Sequence, residues 1–234
     1  MKKITVLKNG PYRITGDIPL YLKQITIEDG IHVLKTIKKL DTPKEGYTLC
    51  RCGKSKNPPF CDGTHVNAGF DGTETAGHGK YADRVEVFPG EEMNLLDDNR
   101  CAFARFCHKH LGDVWTLTEQ SDNPEAKKQA VEAASQCPTG RLTAVLDGKL
   151  FEPELEACIS IVEDIPKRVS AGIFVTGGIE IEDSDGKTYE ARNRQALCRC
   201  GSSELKPFCD ATHVSMRYKD GIKRKSGKGQ SDSR

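Results

Sequence analysis

Three cysteines and one histidine occur twice in this sequence with identical spacing. The first set lies in "CRCGKSKNPPFCDGTH", residues 50–65, and the second lies in "CRCGSSELKPFCDATH", residues 198–213. The candidate ligands are Cys50, Cys52, Cys61 and His65 in the first set, and Cys198, Cys200, Cys209 and His213 in the second. Thiolates and neutral imidazole are ligands for zinc and for iron–sulfur clusters. The repeat therefore predicts two equivalent metal-binding sites.

Each set divides into two pairs of ligands. Residues two apart on an extended strand point to the same side, so Cys50 and Cys52 can face one metal. Cys61 and His65 are one helical turn apart, and "NPPF" is a rigid loop that ends where such a helix begins. Asp62 would lie at the start of that helix and accept amide protons. The ligand types alone do not exclude a single zinc ion at each site, although zinc sites usually separate paired cysteines by two to four residues.

The residues around the ligands narrow the choice. The pattern C-x-C-G-x-S-x(3)-P-F-C-D-x-T-H resembles that of the CDGSH (mitoNEET-like) iron–sulfur family. The resemblance implies one [2Fe–2S] cluster in each motif, with the Cys-x-Cys pair on the buried iron and the Cys/His pair on the outer iron. It also implies that Ser55 and Ser203 support the clusters by hydrogen bonding, and that Pro59 and Pro207 are the family's proline before the third cysteine.

The motifs depart from the family pattern at two positions. Thr64 and Thr212 stand where the family has Ser, and Thr keeps the hydroxyl. Ala211 stands where the family has Gly, which is Gly63 in the first motif. Alanine costs little in a helix but is strained at positive φ. We expect the second site to be intact.

A histidine ligand has consequences of its own. Replacing a thiolate by neutral imidazole removes negative charge from a cluster and raises its reduction potential, as in Rieske centres. Imidazole also competes for a proton in mild acid. Such a site would be redox-active and able to release its cluster. We therefore expect electron transfer or cluster transfer to a redox or iron–sulfur acceptor protein, neither of which requires a substrate pocket.

The middle of the chain carries a second cysteine pattern. Cys101 and Cys107 lie in "RCAFARFCHKHLGDVW", and Cys137 follows in "CPTGRL". A [4Fe–4S] ferredoxin has C-x2-C-x2-C and a distant Cys-Pro, whereas here the central position is Ala104. This arrangement resembles divergent monocluster ferredoxins. Three cysteines would hold a [3Fe–4S] cluster, and a fold that has lost its cluster is the alternative. A [4Fe–4S] cluster would need a fourth ligand from His108, His110 or Cys158.

The organisation of the chain follows from these patterns. "GPYRITGDIPL" and "GIFVTGGIEI" precede the two motifs, and each predicts a strand, a Gly turn and a second strand. The resemblance implies an α+β protein whose two small β-rich units form an intramolecular pseudo-dimer, with an inserted α+β ferredoxin-like domain, so we expect a monomer. The predicted boundaries are 1–70 for the first unit, 71–153 for the insert, 154–218 for the second unit and 219–234 for a basic flexible tail.

Local signals predict elements within these units. A helix over 123–136 has Asn123 as its cap and Pro124 in its first turn. "RVEVF" predicts a strand, and Asp147-Gly148 predicts a hairpin turn. A further hairpin is expected around 28–30.

Composition excludes several classes of function. The net charge of +1 does not favour nucleic acid or anionic membrane as a partner. Neither a secretory signal nor an apolar run long enough for a membrane span is visible, which predicts a cytoplasmic protein. Ten cysteines in a reducing compartment indicate metal ligation or redox chemistry. We find no phosphate-binding or dinucleotide-binding loop and expect no enzyme; a structural zinc module and a redox-enzyme subunit are the alternatives.

Overall fold

The computed structural model describes residues 2–222, which contain short strands and few helices. In chain order the strands are β1 (Lys3–Val6), β2 (Tyr12–Thr15), β3 (Leu20–Glu28), β4 (Ile31–Leu40), β5 (Tyr47–Leu49), β6 (Glu86–Pro89), β7 (Asn94–Asp97), β8 (His108–Lys109), β9 (Gly112–Asp113), β10 (Leu142–Leu146), β11 (Lys149–Phe151), β12 (Cys158–Asp164), β13 (Val169–Thr176), β14 (Glu180–Glu182) and β15 (Arg194–Leu197). The α-helices are α1 (Thr64–Asn67), α2 (Val114–Glu119), α3 (Pro124–Ser135) and α4 (Thr212–Ser215), and a 3-10 turn spans Tyr81–Asp83. None of the helices in these residues could cross a bilayer.

Two sheets each contain strands from both halves of the repeat. The first has the order β14-β1-β2-β5, and the second has the order β15-β13-β12-β3-β4. Strand β1 is antiparallel to β2 and parallel to β14, just as β12 is antiparallel to β13 and parallel to β3. The first half (β1–β5) therefore contributes β3 and β4 to the sheet of the second half (β12–β15), which contributes β14 in return, and the repeat seen in the sequence is also a repeat of topology.

The two sheets bury one common core. Ile4 and Tyr12 from the first half pack in the same cluster as Ile159 and Ile181 from the second, and all four are fully buried. Strand β13 is buried along nearly its whole length, as expected for a strand that is covered on both faces. Its second face packs against residues of the insert, including Phe106. The second sheet thus lies between the common core and the insert.

The insert is a separate small α+β unit. Its sheet has the order β11-β10-β7-β6, and helices α2 and α3 pack against it around buried Leu95 and Leu117. The predicted helix is confirmed: the Asn123 side chain accepts hydrogen bonds from two amides of the first turn of α3. The predicted turn at Asp147-Gly148 joins β10 to β11, with both residues at positive φ. The strand predicted in "RVEVF" is β6.

The hairpin predicted near residue 28 is also present. Asp29 (φ 47°) and Gly30 (φ 82°) join β3 to β4, and positive φ at both positions is the geometry of a two-residue hairpin turn. The hairpin extends the second sheet on the side that faces the insert. His32 of β4 accepts a hydrogen bond from Arg105, which lies in the cysteine-bearing loop of the insert (residues 101–107, the cysteine loop).

The beginning of the segment predicted as a basic tail belongs to the fold. Asp220 forms an ion pair with buried Arg199 and accepts a hydrogen bond from Ser170 Oγ at 3.2 Å. Ile222 packs against the common core. The remainder of that predicted segment, residues 223–234, lies outside the described residues.

A buried hydroxyl joins the two halves, and it generates a prediction. Tyr12 donates to the carbonyl oxygen of Cys198 (2.7 Å) and lies 2.9 Å from that of Pro207, whereas Tyr47 donates to Ile18 within its own half. Tyr12→Phe and Tyr47→Phe should each lower the unfolding free energy by about 1 kcal/mol, because each removes one buried hydrogen bond. Only Tyr12→Phe should speed amide hydrogen exchange in residues 198–208.

Urea denaturation and mass-spectrometric hydrogen exchange measure these effects. Tyr47→Phe is the matched control because it removes the same atom from an equally internal position. Equal exchange in the two variants would show that the Tyr12 hydroxyl does not hold the second motif.

Candidate metal centres

The structure brings the predicted ligands of the first motif together as two pairs. The sulfurs of Cys50 and Cys52 are 3.7 Å apart, and Cys61 Sγ is 3.4 Å from Nδ1 of His65. Cys50 and Cys52 are buried, whereas Cys61 and His65 are partly exposed. One pair thus lies inside the fold and the other at its surface.

The second motif has the same arrangement. Cys198 and Cys200 have their sulfurs 3.6 Å apart, and Cys209 Sγ is 3.5 Å from Nδ1 of His213. All ten cysteines of the chain are free thiols. The distances between donors match those of the first motif, but here both pairs are buried.

These spacings fit metal ligation. A tetrahedral metal with bonds of about 2.3 Å to sulfur and about 2.0 Å to nitrogen separates two sulfurs by about 3.8 Å and a sulfur from a nitrogen by about 3.5 Å. Each pair therefore has the separation of two ligands on one metal. Within residues 2–222, no three His, Cys, Asp or Glu side chains converge on a single ion.

The Cys-x-Cys pairs are not on strands, which corrects the sequence-based expectation. Strand β5 ends at Leu49, and the chain then bends through Cys50 to Gly53, where φ is +74°. An extended strand would hold residues two apart farther from each other than these sulfurs are. The bend, rather than strand alternation, brings Cys50 and Cys52 together.

The two bends pack against each other. A Cβ on Gly53 would lie 2.6 Å from the carbonyl oxygen of Cys200, and a Cβ on Gly201 would lie 2.6 Å from that of Cys52. Both glycines also have positive φ. Only glycine satisfies both constraints, so the glycine of each motif allows the two sites to approach back to back.

The Cys/His pairs also differ from expectation. Helix α1 begins at Thr64, so Cys61 precedes it and is held instead by its amide, which donates to Thr48 O at 3.1 Å. As predicted, Asp62 accepts amide protons: those of Thr64 (3.0 Å) and Lys56 (2.8 Å). These hydrogen bonds lower the pKa of Asp62 to about 2. The Asp62 carboxylate closes a turn, and the single helical turn of α1 follows it. Together they position Cys61 and His65.

The two serines stabilise the loops that carry the third cysteines. Ser55 Oγ donates to the carbonyl oxygen of Phe60 at 2.6 Å, and Ser203 Oγ donates to that of Phe208 at 2.7 Å. Each carbonyl belongs to the residue before the third cysteine. In this structure the serines therefore support the sites through the backbone.

The four candidate ligands of the second motif are shifted in different directions: the hydrogen bond with Cys198 raises the pKa of Cys200, and burial raises that of Cys209. The pKa of the Cys198 thiol is lowered to about 6, first by a hydrogen bond from Cys200 and then by backbone amides that include those of Ser203 and Gly201. Burial, aided by the charge of Arg199, lowers the pKa of His213 to about 4. A thiolate and a neutral imidazole are the forms that bind metals.

The three cysteines of the insert line one cavity. Cys101, Cys107 and Cys137 surround it together with Ala104 and Trp115. The thiols are close enough to influence one another, because the pKa of Cys107 is raised to about 11 by burial and then by the charges of Cys137 and Cys101. Ala104, which stands where the ferredoxin pattern has its central cysteine, therefore lines the same cavity.

The backbone of the cysteine loop is strained at two positions. Phe103 (φ 58°) and Arg105 (φ 65°) both adopt left-handed conformations, which cost bulky side chains about 1–3 kcal/mol each. Alternation with left-handed residues turns successive amides inward, as in the concave nests that bind phosphates and Fe–S clusters. The Phe103 amide donates to Cys101 Sγ at 3.2 Å.

The residues considered as a fourth ligand lie elsewhere. His108 and His110 are exposed, and neither lines the cavity. Cys158 begins β12, where its Sγ is 3.3 Å from Thr176 Oγ1, and it too is outside the cavity wall. The cavity therefore offers three thiols.

Family comparisons agree with this geometry. The family described as iron-binding zinc finger CDGSH type matches residues 9–66 and 171–214, and the divergent 4Fe-4S mono-cluster family matches residues 88–147. This is an iron–sulfur protein with two CDGSH segments and an inserted mono-cluster domain. No curated protein and no solved structure matches the chain significantly.

Sequence reasoning missed the residues that surround the second CDGSH site. Arg105 forms a two-point ion pair with Asp164 and donates from Nε to Nε2 of His32 at 2.9 Å. These three residues come from the insert loop, β12 and β4. No local pattern in the sequence joins them, since only the tertiary fold does.

The departure at Ala211 carries a prediction. Ala211 has φ of +71° and Gly63, its counterpart, has φ of +84°, so the alanine is strained. Ala211→Gly should stabilise the protein by about 0.5–1 kcal/mol, the left-handed cost less the entropy that glycine adds to the unfolded chain. Gly63→Ala, whose Cβ would meet nothing within 4 Å, should destabilise it by a similar amount.

Chemical denaturation of the two variants measures this pair of effects. The reciprocal substitutions test conformation alone, because both lie at the same position of the motif. A less stable Ala211→Gly variant would mean that the alanine methyl contributes more through packing than it costs in strain.

Proposed function

We propose that the chain binds two [2Fe–2S] clusters and acts as an electron or cluster carrier rather than as an enzyme. The ligands are Cys50, Cys52, Cys61 and His65 at the first site, and Cys198, Cys200, Cys209 and His213 at the second. The observation that carries this proposal is the pairing of the donors, with two ligands at the spacing of one tetrahedral metal in each pair. A structural zinc module would instead gather all four donors on one ion.

The residues of each site have distinct tasks in this proposal. The buried Cys-x-Cys pair would hold one metal of the cluster, and the Cys/His pair would hold the other through Nδ1 of the histidine. When bound, such a cluster supplies one-electron redox chemistry at a potential that the imidazole ligand raises. Asp62 and Ser55 keep the outer loop in place through backbone hydrogen bonds. The Cys50 and Cys52 bend excludes water from the inner side.

The insert is proposed to hold a third cluster, of the [3Fe–4S] or [4Fe–4S] type, at Cys101, Cys107 and Cys137. Support comes from the shared cavity and from the left-handed residues of its loop. Ala104 in the cavity wall favours a cluster with one corner that lacks a cysteine. With a third centre the chain would be a short path for electrons.

The wider setting is part of the same proposal. The reciprocal strand exchange supports an intramolecular pseudo-dimer, in which the two halves replace two subunits and the chain is a monomer. Ten free thiols suit a reducing compartment such as the cytoplasm. The partner would be a redox protein or an apo-protein that accepts a cluster.

Iron, zinc and acid-labile sulfide content of anaerobically purified protein tests the proposal first. We expect about seven or eight irons per chain if all three sites are filled, and about four irons with four sulfides if only the CDGSH sites are. The triple variant Cys101→Ser/Cys107→Ser/Cys137→Ser should lose only the iron above four. Zinc without sulfide would identify a structural module, and a copurified flavin would point to a redox-enzyme subunit.

The histidine ligands generate a second prediction. His65→Cys should lower the reduction potential of one [2Fe–2S] centre, because a second thiolate on the outer iron adds negative charge. His213→Cys should lower the potential of the other centre and leave the first unchanged. Redox titration followed by visible and EPR spectroscopy measures both. Unchanged potentials in both variants would exclude the histidines as ligands.

A further inference from the structure

The loop of the insert covers only the second CDGSH site. Cys209 is 3% exposed and packs in one cluster with three side chains of the cysteine loop, which are Ala102, Ala104 and Phe106. His213 is 2% exposed, and its Nε2 has no hydrogen-bond partner. The outer pair of the second site is therefore buried, although the motif is the same as in the first.

Polar contacts close the same interface, and the three residues that make them, Arg105, Asp164 and His32, are called the latch. Arg105 of the insert loop holds Asp164 of β12 through two contacts of 2.9 Å and His32 of β4 through a third. Paired contacts of this kind between guanidinium and carboxylate fix orientation as well as distance. The latch therefore joins the cysteine loop to the sheet that carries the second site.

The first site has no such cover among the described residues. Helix α1, which carries His65, has no buried residue, and Val66 beside it is 72% exposed. At the corresponding position of the second site, His213 is the buried residue of α4. The two outer pairs thus differ in their access to solvent and to a partner protein.

The three candidate centres form a continuous row. Cys209 packs in one buried cluster with Ala102, the residue after Cys101, so the insert centre and the second site are neighbours. The second site in turn meets the first through the bends at Gly53 and Gly201. The second site is therefore a neighbour of both other centres.

We propose that the two CDGSH sites have different roles: the second is an internal relay sealed by the insert loop, and the first is the outlet that meets the partner at His65. This inference rests on the proposed function. With clusters held at these sites, one electron from a one-electron donor would enter at the insert, pass to the site of Cys209 and His213, then to the site of Cys61 and His65, and leave to a one-electron acceptor protein. Each site gains and loses one electron, so the sequence balances.

Accessibility of the two sites gives the first test. Intact protein is reduced with dithionite, so that iron can leave as Fe(II), and is mixed anaerobically with the Fe(II) chelator bathophenanthroline while loss of the [2Fe–2S] EPR signal is followed. We expect two phases of equal amplitude, the slower by about tenfold or more, which corresponds to a local opening free energy of about 1.4 kcal/mol. His65→Cys should change the fast phase only, and His213→Cys the slow phase only.

Removal of the cover gives the second test. Phe106→Ala and Arg105→Ala should each accelerate the slow phase toward the fast one without altering the fast phase. Leu150→Ala is the matched control, because this insert residue is 60% exposed and far from the cysteine loop in sequence. Two variants are used so that a folding defect in one, checked by circular dichroism, leaves the other informative.

Electron delivery to a protein-sized acceptor gives the third test. In Cys50→Ser/Cys52→Ser, which should lack the first cluster, reoxidation of the second site by cytochrome c should slow by about tenfold or more. An unchanged rate would show that the second site meets the acceptor directly. Equal rates of cluster loss from both sites would overturn this inference alone, whereas absence of any [2Fe–2S] spectrum would overturn the proposed function.

Discussion

The parallel pairing of β12 with β3 is the interaction on which the rest of the structure depends. It aligns Ile159 with Leu20, residues that are distant in sequence, and with the β1–β14 pairing it commits both halves to one core. Neither half could bury its apolar residues alone, because each sheet lacks a strand that the other half supplies. Formation of either metal site is therefore coupled to folding of the whole pair.

The sharing of strands between the two halves also determines how close the two CDGSH sites lie to each other. It sets the Cys-x-Cys bends back to back, at a distance where only glycine fits at positions 53 and 201. Tyr12 strengthens the contact by reaching across the core to the carbonyl of Cys198. Proximity of the sites is thus a consequence of strand topology.

Identical motifs nevertheless have different environments, and the arginine between each cysteine pair illustrates why. Arg199 is buried and forms ion pairs with Glu163 and Asp220. Arg51 is equally buried but is bonded to backbone carbonyls and lies over the rings of Tyr12 and Phe70. A buried charge needs compensation, and each half provides it with the neighbours that its own sequence offers.

Sequence patterns predicted those features that depend on neighbours along the chain. The cap at Asn123, the turn at Asp147-Gly148 and the pairing of Cys61 with His65 need only a few adjacent residues, and they are present. The bend at Cys50 and the start of α1 at Thr64 were predicted wrongly, because contacts with Thr48 and with the other motif determine them. The strain at Ala211 did have a signal, since the first motif has glycine there.

The difference between the two sites follows from adding one insert to a repeated pair. The segment that enters the insert crosses the second half, where Thr75 and Ala76 donate amides to Lys206 and His78 pairs with Asp183. The chain leaves the insert through β11 directly into β12, also of the second half. Because both connections lie on that half, the insert must pack beside the second site. Among the described residues the insertion covers the second site and leaves the first exposed, so the repeated pair loses its equivalence.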